Sequence, residues 1–137
     1  MIIDKIEPIA LRIGTLSLVL CRVTTKSGLV GYGECLCNRP PMQQALVATI
    51  RDAIAPVYLG QSAEGKEALN LTARRRFASF GRAGTVTNAL AAVDIALWDI
   101  AGKAVRNADH RMPRPAFQSR RADITSPSGP ALLKCLS

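Results

Sequence analysis

Apolar positions along the chain change period after about forty residues, and the change divides it into two kinds of element. Residues 2 to 12 (IIDKIEPIALR) and 16 to 26 (LSLVLCRVTTK) are rich in Ile, Val, Leu and Thr, the side chains that suit a pleated surface. In the second run Leu16, Leu18 and Leu20 point one way while Val19, Cys21 and Val23 point the other. Both sets are apolar, which predicts a strand buried on both faces. The polar break Lys26-Ser27-Gly28 leads into LVGYGE at 29 to 34, so the second and third strands are expected to form a hairpin. Gly31 and Gly33 weaken that third strand, and they admit the close approach of another backbone or a ligand.

The segment CNRPP at 37 to 41 ends the sheet, because Pro41 offers no donor to a ladder. A helical period then takes over. Leu46, Ile50 and Ile54 recur four apart, with Pro56 expected to close that helix within a residue or two. A second helix is predicted over Glu64 to Phe80, ending at Gly81. The third runs from about Thr85 to Ala104, where Val86, Leu90, Val93, Leu97 and Ile100 make one apolar stripe. Trp98 sits beside Leu97 on this helix and is expected to be mostly buried. Asp99 and Lys103 form an i, i+4 pair on its flank. Asp94 and Asp99, five apart, point to different faces, which favours structural pairing over acid/base work. Three strands followed by three helices define an α+β fold, a small antiparallel meander with a helical bundle on one face.

Composition sharpens this picture mainly by exclusion. With 137 residues, 48% apolar and 20% charged, and a mean hydropathy of +0.14, the chain suffices for one packed domain and is too short for a multi-domain enzyme. Residues 1 to 105 hold twelve cations and eight anions, and residues 106 to 137 hold six cations and two anions, so the last 32 residues hold half the net charge of +8. They also hold four of the eight prolines and show no periodicity. Residues 1 to 105 therefore read as the domain, and 106 to 137 as an irregular, largely unstructured tail. The longest apolar run, Ala89 to Val93, is five residues, against the roughly 18 that a membrane span needs. The start MIIDKIEP carries charge and no apolar h-region, which predicts a cytoplasmic protein. Cys21, Cys35, Cys37 and Cys135 include a Cys-x-Cys but no Cys-x-x-Cys, and His110 is the single histidine. Reduced, partly buried thiols fit that spacing better than a zinc site.

The order of elements, with GLVGYGE at 28 to 34 and ALAAVDIALWDIAGKA at 89 to 104, resembles the amino-terminal capping domain of the mandelate racemase and muconate lactonizing enzyme family, in the enolase superfamily. The resemblance covers about residues 1 to 105. It implies a magnesium-dependent reaction in which a base removes the proton α to a carboxylate and the metal stabilises the enediolate. It places that chemistry on a barrel domain which this chain does not contain. No catalytic residue and no metal ligand carry over, and no cofactor is expected to be bound by these residues. What carries over is the capping role of two loops, Arg12, Ile13, Gly14 and Thr15 after the first strand, and Glu34, Cys35, Leu36, Cys37, Asn38 and Arg39 after the third. Arg12 and Arg39 could meet a carboxylate or sugar-acid hydroxyl in a bidentate way; a solvated surface arginine is the simpler reading. The first loop is short, which leaves little polar surface to read the far end of a substrate.

Relatives continue after GKA with Gly-x-Pro and a Leu-Leu-Gly, and this chain departs from that pattern right after Val105. Reading the codons one nucleotide later can restore a Gly-x-Pro and a Cys-Leu-Gly at the expected spacing, which marks the tail as a possible frameshift product. Three readings of function remain: the substrate-capping domain of an enolase-superfamily racemase, dehydratase or cycloisomerase acting on a small carboxylate, inactive alone; a small basic nucleic-acid-binding module; or a partner-binding module. The second rests on a pI near 9.9 and on Arg74-Arg75-Arg76, but six aromatics with no basic interleaving speak against it. A cap without its barrel is also expected to self-associate, through the segment Gly31 to Leu36 and the strand end Ala10 to Ile13.

Overall fold

The computed structural model describes residues 1–35, 37, 40–81 and 83–111. Strands β1 (Ile3–Ile13), β2 (Leu16–Thr25) and β3 (Val30–Cys35) form an antiparallel meander in the order β1-β2-β3, as the alternating pattern predicts. Ile13 pairs with Leu16, which leaves Gly14-Thr15 as a two-residue turn, and Gly14 takes the positive φ of 60° that such hairpins require. At the second turn Gly28 has φ 83°, and Thr25 and Leu29 close the loop through backbone and hydroxyl hydrogen bonds.

One face of the sheet is covered and the other is open. Ser17, Val19, Cys21, Val23 and Thr25 of β2 are buried beneath the helices. Leu18 and Leu20 are half-buried and Leu16 is exposed, which corrects the expectation of burial on both faces. Among the described residues the helices lie on one side, so there the second face has lateral neighbours alone, Ile9 opposite Leu20 and Leu11 opposite Leu18. The ion pair of Glu7 with Arg22, at 2.9 Å, sits between strands on this open face.

Helix α1 (Pro40–Ala48) starts on the two prolines, where missing donors cost nothing. It widens into a π-helical stretch, Thr49–Ile54, and returns to a short α2 (Ala55–Tyr58). Leu46, Ile50 and Ile54 are buried, as their spacing predicts. Pro56 is followed by the end of the helix within two residues, as expected: the turn runs through Tyr58, and Leu59 leaves the helical region. The Ala55 amide donates to the Ile50 carbonyl, five residues back, and this wider turn takes the proline ring that would clash with the i−4 carbonyl of a regular α-helix. Helix α3 (Lys66–Arg76) is flanked by 3-10 turns at Ala63–Gly65 and Ala78–Phe80, and the chain reverses at Gly81 with φ 84°. Helix α4 (Thr85–Arg111) runs past the expected end at Ala104. No Gly or Pro occurs between Lys103 and Pro113, so the loss of apolar periodicity there changes the surface of the helix without breaking it. Residues 112–137 of the predicted tail lie outside the described residues.

The core forms between the covered sheet face and the inward stripe of α4, with Leu90, Val93, Leu97 and Ile100 set against Val19, Cys21 and Val23. Its tightest seam is backbone on backbone. A Cβ on Gly33 would overlap the Ala92 carbonyl and lie 2.8 Å from the Ala96 nitrogen; one on Gly31 would overlap the Ala96 carbonyl and lie 2.7 Å from Ile100 Cγ1. The close approach expected at these glycines is that of α4. Trp98, by contrast, is 56% exposed, with Lys66 Nζ 4.0 Å from the ring centroid. One residue is a rotation of about 100° on a helix, so a neighbour of the inward Leu97 faces outward, and the expectation of burial is corrected.

Candidate functional site

In a three-stranded meander the first turn and the end of the third strand come to the same edge of the sheet. Val19 pairs with Cys35 and Leu16 with Ile13, so the turn at Gly14-Thr15 and the segment leaving Cys35 share one end. The two loops proposed as caps are thus brought together in part. Arg12, Gly14 and Thr15 are exposed, Ile13 is 66% exposed, and Glu34 is exposed. Cys35 and Cys37 are buried, so their thiols belong to the core and offer nothing to a ligand. Leu36, Asn38 and Arg39 lie outside the described residues. Arg12 has no ion-pair partner among the described residues, which leaves its guanidinium available at the sheet end.

Two further residues shape this end, and the sequence pattern does not single them out. Gln43 Nε2 donates to the carbonyls of Leu11 and Leu18, at 2.8 and 2.9 Å, and so pins α1 to the first hairpin beside its turn. Ser17, paired with Arg12 across the strands, is buried, and its Oγ has no hydrogen-bond partner among the described residues. A lone glutamine and a lone serine carry no periodic signal; their roles arise only when the hairpin and α1 meet.

Elsewhere the polar groups serve packing. Tyr58 OH donates to Asn70 Oδ1 at 2.8 Å, and Asn70 Nδ2 donates to Asp94 Oδ1 at 2.5 Å, a chain that ties α2, α3 and α4 together. Burial first, and the Asp94 charge second, push the Tyr58 hydroxyl pKa up, so it remains a donor. Asp99 accepts from the Tyr32 amide at 3.0 Å and from Lys103 at 2.6 Å, and the lysine bond holds its pKa below the usual carboxylate range. Asp94 and Asp99 are therefore structural, as their spacing suggests. Arg74, Arg75 and Arg76 occupy the last turn of α3, exposed, where cations complement the helix dipole. A groove of about 550 Å³ between the ends of α3 and α4 is lined by Arg74, Phe77, Val86 and Leu90, none of them in the capping loops.

Burial also sets the chemistry of the thiols. The pKa of Cys21 is pushed up to about 12 by desolvation and then by Cys35, and that of Cys35 to about 12 by desolvation and then by Cys37 and Glu34. The Cys35 thiol donates to the Asn88 carbonyl at 3.3 Å. Since the thiolate is the nucleophile, iodoacetamide should label both positions about a hundredfold more slowly in the folded chain than in urea. The folded-state rate should rise with the thiolate fraction between pH 7 and 9 yet stay far below the rate in urea at each pH. Rapid labelling of either residue at pH 8, read by peptide mass spectrometry, would contradict this burial.

A three-stranded meander covered on one face by a helical bundle defines a small α+β domain. The chain belongs to the mandelate racemase / muconate lactonizing enzyme family, whose N-terminal domain matches residues 3–108. A D-galactonate dehydratase family member of Streptomyces bingchenggensis is 32% identical over 114 residues, 82% of this chain and 27% of that protein. Arabinonate dehydratase of Saccharolobus solfataricus is 31% identical over 110 residues, 80% of this chain and 29% of that one. Among solved structures, the 3,6-anhydro-D-galactonate cycloisomerase of Zobellia galactanivorans superposes with a TM-score of 0.68 at 32% identity, covering 77% of this chain and 29% of its own. A racemase from Streptomyces coelicolor, solved with bound magnesium, superposes with a TM-score of 0.69 at 28% identity, covering 76% of this chain and 31% of its own. The chain thus spans about a third or less of the length of the relatives it matches. Among the described residues no three His, Cys, Asp or Glu side chains converge as a metal site. No helix among them is long and apolar enough to cross a membrane.

Proposed function

We propose that residues 3–108 act as the substrate-capping and specificity part of a magnesium-dependent, cytoplasmic enzyme that abstracts the α-proton of a sugar-acid or hydroxy-acid carboxylate, and that these 137 residues alone are inert. The carrying observation is the family match over that span, together with the convergence of the Arg12–Thr15 turn and the Glu34 strand end on one edge. Aldonate and galactarolactone enzymes recur among the relatives, which supports the sugar-acid class. Arg12 is the group that would meet a distal hydroxyl or carboxylate, since its guanidinium offers paired donors. The reaction needs converging carboxylates around a metal and a base within reach of the α-carbon; both fall to the portion of the relatives that follows residue 108.

Two measurements test this. The purified chain with magnesium should exchange no α-proton of any aldonate for solvent deuterium by NMR. Grafted in place of the matching residues of arabinonate dehydratase, residues 3–108 should leave exchange metal-dependent while shifting KM among aldonates, and Arg12→Ala in the chimera should raise KM more than it lowers kcat. Turnover by the chain alone, or a folded chimera with unchanged preference, would refute the assignment.

A further inference from the structure

The outer face of α4 lacks the polar surface that a solvent-facing helix ordinarily shows. Ile95, Trp98, Gly102 and Val105 recur at steps of three, four and three on the side opposite the buried stripe, and the three larger ones are 49%, 56% and 71% exposed. At Gly102 an added Cβ would meet no atom within 4 Å, so the helix is bare there. A flanking acceptor is also unspent: both hydrogen bonds to Asp99 end on Oδ2, and Oδ1 has no partner among the described residues. Arg106, two turns further along the same flank, is exposed; its charge already helps to lower the Asp99 pKa within the chain, but it closes no ion pair among the described residues.

We propose that this face binds a second copy of the same chain, with the two α4 helices crossing antiparallel about a twofold axis at Gly102. Across such an axis, residues meet when they mirror one another about it and lie on the same flank. Gly102 then faces Gly102 of the second copy, and the missing side chains let the backbones approach. On one flank Trp98 packs against Val105 of the second copy; on the other, Asp99 Oδ1 comes within reach of Arg106 of the second copy. Each contact is repeated by symmetry. The face is therefore complementary to itself in both bulk and charge, which selects a second copy over an unrelated apolar partner. It differs from the segments that the sequence points to, because Gly31, Gly33 and Cys35 are already buried under α4. One helix pair buries well under the roughly 800 Å² per partner of a standard interface, so the dimer should be weak, with half-association at tens to hundreds of micromolar. The proposal is independent of the catalytic reading.

Sedimentation velocity of the full 137-residue chain over a hundredfold range of concentration should show a monomer–dimer equilibrium. Emission from Trp98, the single tryptophan, should move to shorter wavelength as the dimer fills. Gly102→Leu should raise the thermal midpoint of the monomer, since leucine is the better helix former, while wedging the helices apart and weakening association at least tenfold. Arg106→Glu should weaken it similarly, with helical content unchanged by circular dichroism. A chain that stays monomeric throughout, that grows beyond dimers, or whose association is unchanged in both variants would overturn the proposal.

Discussion

Gly33→Ala is expected to cost about 3 kcal/mol or more, the upper end for overpacking, and to leave the domain largely unfolded at modest urea concentration. The methyl group would enter space held by the Ala92 carbonyl, with the Ala96 nitrogen at 2.8 Å and the Ala92 carbonyl carbon at 2.9 Å. These are backbone atoms of a helix, so no rotamer change relieves the overlap; α4 must lift off β3 or the strand must shift. Either movement opens the seam beside Val93 and Leu97, both fully buried. Against the roughly 0.05–0.15 kcal/mol per residue of ordinary domains, that is a large share of the total. Gly65→Ala serves as the control: φ there is −91° and nothing lies within 4 Å of a Cβ, so its urea midpoint should barely move. Equal midpoints for the two variants would show that the β3–α4 seam is looser than described.

Leu97→Ala and Trp98→Ala should separate by several kcal/mol although the residues are adjacent. Leu97 is fully buried in the core, and truncation there should cost about 2–5 kcal/mol in lost transfer energy and residual cavity. Trp98 has one ring face covered by Lys66 and is otherwise open, so its truncation should cost under about 1 kcal/mol in dilute solution. Urea unfolding followed by circular dichroism reads both. A Trp98→Ala loss as large as that of Leu97→Ala would mean that the ring is a core residue after all.

The same pair shows which parts of the fold a sequence pattern can reach. The stripe Val86, Leu90, Val93, Leu97, Ile100 was legible because each step keeps the side chain on one face, and burial follows from that face alone. Trp98 was misjudged because its apolar character was read as inwardness, although its phase on the helix is outward. The strand β2 failed in the same way: Leu16, Leu18 and Leu20 are as apolar as Val19 and Val23, and only the placement of every helix on one side decides which set is covered. The end of α4 escaped for another reason, since a change of composition is compatible with helix where no Gly or Pro interrupts it.

Of the candidate site, the placement of the first turn and the end of β3 at one end of the sheet follows from the meander, and the hairpin was readable. The roles of Gln43 and Ser17 were not. Both depend on α1 docking against the first turn, a contact between positions 25 to 32 residues apart in the case of Gln43, and neither residue type announces such a contact locally. Arg12 was visible only as an arginine next to a turn; that it closes no ion pair among the described residues is a property of the folded surface.

The seam between β3 and α4 also bears on how this contact could be detected from related sequences. Gly31 and Gly33 face Ala92 and Ala96, and any gain of side-chain volume at Gly31 or Gly33 drives an atom into main chain. A position that accepts one residue type has no alternative states to correlate with its neighbour. The closest contact of the fold is therefore expected to be silent in covariation statistics, and methods that infer proximity from coupled substitutions should find the surrounding, looser pairs while leaving this one blank.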